Sequence, residues 1–512
     1  MRALLATSIG VTCAAALTLP LAVPSAAAPV IRTSATQAAP DPDPAADRAE
    51  GSRAAESAEA TESASAIESA ESAESASAIE SAESAEAGES AELPGSTQSL
   101  PLSPLTPTAT RATGTPTGPT GPTASAAQGL RQRDVRPFSL VGVVWDDADA
   151  ELHGTVQIRA RATGSTRWSD WQDVETRNAE HGADPGTAER EAGAVRGSTA
   201  PLWVGASDGV EVRVLPGAPD PHHRPAAPQT LPDGLRLELV DPGKDAPQPP
   251  AGGAPGGTRV TEPAAGAPLT AESAAAAAVN ADLAPLGATV IPALSKAESQ
   301  EQAGVAAGAR PYVGPRPRIV TRKGWGADEG LRERQFAYTS RVKAAFVHHS
   351  ATGNNYRCSQ APSVLRSIYR YHVKSSGWRD FGYNFAIDKC GNIYEGRAGG
   401  VAKAVLGAHT LGFNTNSMGI AVLGTFTSTK PSAASVKAVS QLTAWKLGLF
   451  GANPKGKTTL VSGGGNRFRK GTKVRLNVIS GHRDGFATEC PGGRLYKKLG
   501  TARAGSARLQ GR

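Results

Sequence analysis

The chain has 512 residues, with 54 Lys and Arg, 47 Asp and Glu, 57 Gly, 38 Pro, 39% hydrophobic and only 5% aromatic residues. Length alone allows two or three domains, but so few aromatics with so much Gly and Pro exclude a core that uses the whole chain. The net charge of +7 is unevenly spread: residues 310–512 hold 34 Lys and Arg against 8 Asp and Glu, which leaves an acidic remainder and excludes a uniformly neutral surface.

Met1 and Arg2 precede an apolar stretch to about residue 21, then the small residues Ser25, Ala26, Ala27 and Ala28. That is the composition of a secretory signal peptide over residues 1–28, with a membrane anchor as the competing reading. No later apolar stretch is long enough to span a bilayer. The expectation is a secreted protein, extracellular or associated with a cell wall. Residues 29–136 are expected to be disordered. The string SASAIESAESAE at residues 63–74 is repeated letter for letter at 75–86, and Ile67 and Ile79 are its apolar residues. Residues 105–123 turn to Thr, Pro and Gly, the composition of an extended linker.

Residues 137–242 change character. Strand-like runs at 138–145, 154–162, 203–204, 210–214 and 235–239 are separated by Gly, Asp and Pro, and Val156, Ile158 and Ala160 alternate with polar residues. A small all-β, sandwich-like domain is expected. Trp168 and Trp171 suit either a sugar-facing edge or packing, and no catalytic constellation is evident. His153, His181, His222 and His223 are expected to be solvated. Residues 243–310 form a second linker rich in Ala, Pro and Gly, with a short helix at 271–284 that Pro285 would end.

Residues 311–503 alternate strands and helices, with 504–512 as a tail. Residues 344–347 read as a strand that presents His348 at its end. Residues 359–376 read as a helix with Pro362 in its first turn and Val364, Leu365, Ile368 and His372 on one face. Residues 383–387 and 392–395 suit a hairpin, 417–423 an apolar strand, 432–450 a second amphipathic helix, and 476–480 a strand running into His482. The fold class expected is α/β, with helices flanking a mixed central sheet.

The chemistry concentrates at two places. Val347-His348-His349-Ser350 ends an apolar run, and Gly481-His482-Arg483-Asp484 leads to Thr488-Glu489-Cys490-Pro491-Gly492. Two imidazoles and one thiolate, each at or beyond a strand end, are the donor types zinc prefers, and three protein ligands with one open position is how catalytic zinc is held. There is no CxxC pair of the kind structural zinc uses. Such a zinc would activate a water and polarise a carbonyl, with Tyr383 and Thr488 as hydrogen-bonding assistants. If Cys490 is a metal thiolate, removal of Cys13 with the leader leaves Cys358 and Cys390 as a pair. The strongly basic C-terminal part suits an anionic partner, a cell-wall polymer rather than nucleic acid for a secreted chain, with solubility alone as the competing reading.

The strings His-His-Ser, Gly-Trp-Arg-Asp-Phe-Gly-Tyr-Asn-Phe, Ile-Tyr-Glu-Gly-Arg, Gly-Ala-His-Thr, Gly-Phe-Asn-Thr-Asn-Ser-Met-Gly-Ile and Gly-His-Arg-Asp…Thr-Glu-Cys-Pro-Gly run in order over about residues 318–500. In this the chain resembles the peptidoglycan recognition protein family, which includes zinc amidases. The resemblance implies N-acetylmuramoyl-L-alanine amidase activity, with zinc on His348, His482 and Cys490, Tyr383 and Thr488 assisting, and Arg397, His409 and Asn414 lining the peptide groove. Receptor members lack the cysteine ligand and do not cleave, so a peptidoglycan-binding receptor or adaptor is the alternative. After Arg397 the chain reads Ala398-Gly399-Gly400, which departs from the family pattern bearing on the third stem residue. The run from Gly463 to Gly471 is an unusual basic extension, expected near the groove.

Overall fold

In a computed structural model of the chain, residues 95–105, 127–178, 180–217, 230–244, 269–304 and 312–512 are described. The leader, the Ala/Glu/Ser repeats, the Thr/Pro/Gly run, His222 and His223 lie outside them. Among the described residues no helix is long and apolar enough to cross a membrane.

The first part is all β. Its strands are β1 (Thr97–Pro101), β2 (Ser103–Pro104), β3 (Gln128–Trp145), β4 (Gly154–Ala162), β5 (Gln172–Val174), β6 (Gly197–Ser198), β7 (Leu202–Pro216) and β8 (Arg236–Val240). They pair antiparallel in the order β1-β8-β3-β7-β4-β5, with β2 and β6 also on β3. In β4 the period of two buries Val156, Ile158 and Ala160 and leaves the residues between them more open. The register of β3 on β7 shifts at three points, which bends the two long strands.

This sheet begins earlier than expected. β1, β2 and the start of β3 fall within residues 29–136, assigned above to disorder. β1 has too few apolar residues to be read alone, but β8 pairs along its whole length. The Gln98 amide also donates to the Arg136 carbonyl at 2.9 Å and accepts from the Arg136 N–H at 3.1 Å. Neither partner is near in sequence.

The second part is α/β. Its elements are α1 (Ala271–Ala278), β9 (Val290–Ile291), α2 (Lys296–Gln302), β10 (Ile319–Val320), α3 (Arg322–Trp325), β11 (Ala344–His349), α4 (Ala361–Arg370), β12 (Phe385–Ile387), β13 (Ile393–Glu395), β14 (Ser417–Val422), α5 (Ala433–Leu449), β15 (Lys457–Val461), β16 (Lys473–Asn477), β17 (Ile479–Gly481), α6 (His482–Gly485), α7 (Gly493–Tyr496) and α8 (Leu499–Gln510). The sheet order is β17-β11-β14-β12-β13-β10-β9, and β15 and β16 form a separate hairpin. Strand β11 lies parallel to both β14 and β17, whereas β12 is antiparallel to β13, so the sheet is mixed.

Two segments read as linker and tail belong to this domain. β9 pairs with β10, and Asn280, just past α1, donates to Glu395 at 2.8 Å. Helix α2 starts in a capping box of Ser295 and Glu298. Helix α8 runs through the expected tail, because Ala507 is buried and Gln510 donates to the Ala444 carbonyl of α5 at 3.0 Å.

One face of the sheet holds Ala345, Val347, Ile420 and Val422 against Val439, Leu442 and Trp445 of α5 and Leu499 of α8. The other face carries α4. Val364, Leu365 and Ile368 point into a second cluster that also includes Leu140, Val144, Trp203 and Val240 of the all-β part. Burial of each of these large aliphatic side chains contributes roughly 1.5–3 kcal/mol. The two parts therefore share a core. Tyr371, in the π-helical turn after α4, donates to the Thr199 carbonyl at 3.0 Å, and the Trp203 N–H donates to the Thr352 carbonyl at 3.1 Å.

Candidate metal centre and the loop that covers it

Strand alternation decides which face His348 occupies. Ala345 and Val347 enter the core under α5, so Ala344, Phe346 and His348 point to the opposite side. β17 runs parallel beside β11 with Val347 opposite Gly481, which brings His482, the first residue of α6, next to His348. The two ring centroids are 4.5 Å apart. The chain then returns through Thr488, whose hydroxyl accepts from the Cys490 N–H at 3.0 Å. This turn directs the Cys490 sulfur to 3.7 Å from His348 Nδ1. Tyr383, just before β12, places its ring 5.2 Å from that of His348.

A fourth donor was not anticipated. His181 was expected to be solvated, but it is 6% exposed and lies against His348, His482 and Tyr383, with ring centroids 5.4, 4.6 and 5.9 Å away. One ligand atom each from His181, His348, His482 and Cys490 falls within 4.8 Å of the others. No motif surrounds His181, and only its fold partner reveals it.

The residues fit a zinc ion. The edge of a tetrahedron built on Zn–N and Zn–S bonds is about 3.3–3.6 Å, close to the observed sulfur–nitrogen separation. Both ring nitrogens of His181 and of His482 are buried without a hydrogen-bond partner, and a bound cation would take one nitrogen of each ring. Burial pushes the His348 and His482 imidazoles well below their usual range, and so toward the neutral form that ligates. Burial also pushes the Cys490 thiol well up, so a thiolate there requires a cation beside it.

The remaining expected residues are also accounted for. His409 lies fully buried beneath β14, its Nδ1 3.0 Å from the Thr410 hydroxyl, which is in turn 3.3 Å from His348 Nε2. Asn414 accepts from the N–H groups of His409 and Thr410 at 2.7 and 3.0 Å. Arg397 is anchored by its Nε on the Phe381 carbonyl at 2.8 Å. Cys358 and Cys390 form a disulfide, which among the described residues leaves Cys490 as a free, buried thiol. His372 stacks on Trp378 at 4.4 Å and accepts from the Gly382 N–H, while His153 is about half exposed. The basic run at 463–471 connects β15 and β16, and the Gly463 N–H donates to Gly412 at 2.7 Å, close to Asn414.

The site is covered by the loop between β5 and β6, residues 175–196. Thr488 donates to the Glu180 carboxylate at 2.5 Å. Asp184 accepts from the Gly412 N–H and from Asn414 Nδ2, both at 2.7 Å, and Asn414 also donates to the Gly182 carbonyl at 2.8 Å. Arg397 grips both oxygens of Glu189 at 2.8 Å. Burial alone would raise the Glu189 carboxyl, but the Arg397 guanidinium outweighs it and holds it below the usual range. Burial pushes the Glu180 carboxyl up to about 8, although Thr488 opposes the shift.

Comparison with known proteins matches residues 86–232 to a family described as Rv3811 N-terminal galactose-binding domain-like, and residues 338–493 to N-acetylmuramoyl-L-alanine amidase. Peptidoglycan-recognition protein SC2 of Drosophila simulans is 35% identical over 186 residues, 36% of this chain and 85% of its own. The N-acetylmuramoyl-L-alanine amidase of Homo sapiens is 32% identical over 190 residues, 36% of this chain and 28% of its own. A solved structure of wild-type Drosophila PGRP-LB aligns with 27% identity over 36% of this chain and 93% of its own, with a TM-score of 0.29.

Proposed function

Because the chain belongs to the peptidoglycan recognition protein family, we propose that it is a secreted zinc amidase that cuts between N-acetylmuramic acid and the L-alanine of peptidoglycan stem peptides. The observation that carries this reading is the convergence of His348, His482 and Cys490 beside Tyr383. The retained cysteine favours an enzyme over a receptor.

In this reading His348, His482 and Cys490 hold the ion, which when bound supplies Lewis acidity toward a carbonyl and a water. Tyr383 and Thr488 flank the reacting amide, and their hydroxyls donate to the oxygen on which charge develops. A donor in that role is worth about 10²–10³ in kcat. Burial holds the Tyr383 phenol protonated, far above the usual range, so it remains a donor. Arg397 presents a buried fork suited to a carboxylate of the stem peptide. Asn414 contributes its amide, and His409, behind His348, fixes the ligand through Thr410. The exposed Arg469, Lys470, Lys473 and Arg475 of the β15–β16 hairpin offer a contact for anionic wall polymer.

The competing reading is a peptidoglycan-binding receptor with little turnover, which the fourth donor at His181 favours, because four protein ligands leave an ion no open position. Purified peptidoglycan incubated with the native chain and with His181→Ala, each with and without chelator, separates the two. Release of amino-terminal alanine that chelator abolishes supports the amidase. No release from either protein, with peptidoglycan still bound, rules it out.

A further inference from the structure

β5 pairs with β4 and β6 with β3, so the loop between them crosses the sheet rather than closing a hairpin, and irregular connections of about 20 residues usually carry a function. It leaves the all-β domain and enters the site of the other. His181 arrives with both ring nitrogens buried and without hydrogen-bond partners. On either side of it, three carboxylates of the same loop take three sets of donors: Glu180 on Thr488, Asp184 on Gly412 and Asn414, and Glu189 on Arg397. Apart from Tyr383 and the buried His409, these include every side chain assigned above to the stem peptide or its scissile bond.

We propose that His181 is the fourth ligand of the zinc centre and that loop 175–196 is a built-in occupant of the peptide groove, so that the chain folds as a latent form. The proposal rests on the amidase reading for the metal and the groove. Four protein ligands close a zinc site, whereas three leave the position that chemistry uses. The carboxylates reinforce the closure, since each satisfies a polar group that would otherwise face an empty groove. Opening requires only the loop to leave. The apolar cluster joining the two domains is built from β3, β7 and β8, not from the loop. A peptidoglycan fragment whose carboxylate takes Arg397 competes directly with Glu189, so substrate binding and loop release favour each other.

The test uses the full chain loaded with Co(II) in place of zinc, as native protein, as His181→Ala, and as Asp184→Ala/Glu189→Ala. Visible absorption reports the coordination, azide probes for an open position, and a soluble muropeptide probes the groove. The native spectrum is expected to ignore azide, and both variants are expected to respond. The muropeptide is expected to bind the variants at least about tenfold more tightly, the factor by which closure reduces the competent fraction. The double variant retains all four ligands, so it decides the matter if His181→Ala misfolds. Equal azide responses in native and variant chains, or a His181→Ala spectrum identical to native, overturn the proposal. Azide access gained without any alanine release removes the amidase reading and leaves latency standing. Equal digestion with equal azide response does the reverse. A chain that binds no Co(II) overturns both.

Discussion

Removing the Cys358–Cys390 bridge probes how the scaffold beneath the site is held. The bridge spans a sequence separation of 32, with a Cα–Cα distance of 6.1 Å, and ties the residues before α4 to the turn between β12 and β13. A closed loop of that length removes about 3.7 kcal/mol of denatured-chain entropy by the loop-closure relation. The folded turn has its own supports. Asp388 accepts from the N–H groups of Cys390 and Asn392, both at 2.9 Å, and from the Tyr394 hydroxyl at 2.9 Å. The Lys389 N–H donates to the Tyr356 hydroxyl at 2.8 Å. Cys390 is exposed and Cys358 half-buried, so serine at both positions loses little packing. The effect is therefore expected to fall on the unfolded chain. Denaturant and thermal unfolding of Cys358→Ser/Cys390→Ser should give a loss of about 3–4 kcal/mol and a Tm lower by about 7–15 °C for a cooperative unit of this size. Metal content and the folded spectrum should be unchanged. A loss under about 1 kcal/mol, or a disturbed metal centre, would refute the assignment of the bridge to the unfolded state. Non-reduced peptide maps joining either cysteine to Cys490 would overturn both the bridge and the ligand set.

Tyr383→Phe in a His181→Ala background is expected to lower kcat about 10²-fold with little change in KM; a fall in binding alone would remove Tyr383 from the reaction. Arg322 is buried with Glu329 at 2.7 Å and Asp380 at 3.0 Å; Glu329 also holds Arg332 at 2.6 Å, so Arg322→Met leaves Asp380 as the buried carboxylate without its ion-pair partner and should cost about 3–5 kcal/mol in denaturant unfolding. Gly142→Ala would place a Cβ 2.4 Å from the Tyr371 hydroxyl, and the resulting misfit should cost about 1–3 kcal/mol and speed proteolysis between the domains. Burial drives the Lys446 ammonium down to about 7, with Glu395 in partial opposition. Between that value and the ordinary lysine value the unfolded chain binds a proton that the native chain does not, so stability rises with pH. Lys446→Met should flatten this rise, as read from denaturant midpoints at about pH 7 and 9.5.

Much of the α/β domain was legible because its signals are local. The apolar run of β11, the helical span of α5 and the apolar face of α4 each lie within one short segment. His348, Tyr383, His482 and Cys490 were legible because their spacing matches a known family pattern, and the structure brings them together. The all-β edge was not, since β1 becomes a strand only through β8, more than a hundred residues later. The same holds for β9, which owes its pairing to β10. His181 is the extreme case. Its loop is polar and irregular, rich in acidic residues, and nothing nearby marks a ligand. The rings it lies against, those of His348, Tyr383 and His482, all belong to another domain. Arg397 and Asn414 were legible as polar residues of a groove, but not their partners Glu189 and Asp184.

The order of the chain gives loop 175–196 a further consequence, in time rather than in space. The loop is synthesised, and would be exported, before β11, β14 or β17 exists. Those three strands must dock side by side before His348, His482 and Cys490 can meet, and all of them follow the loop in the chain. N-terminal domains generally fold first during synthesis. If the chain is the latent amidase proposed above, the occupant is then in place when the groove closes around it, and no interval exists in which a finished site stands uncovered.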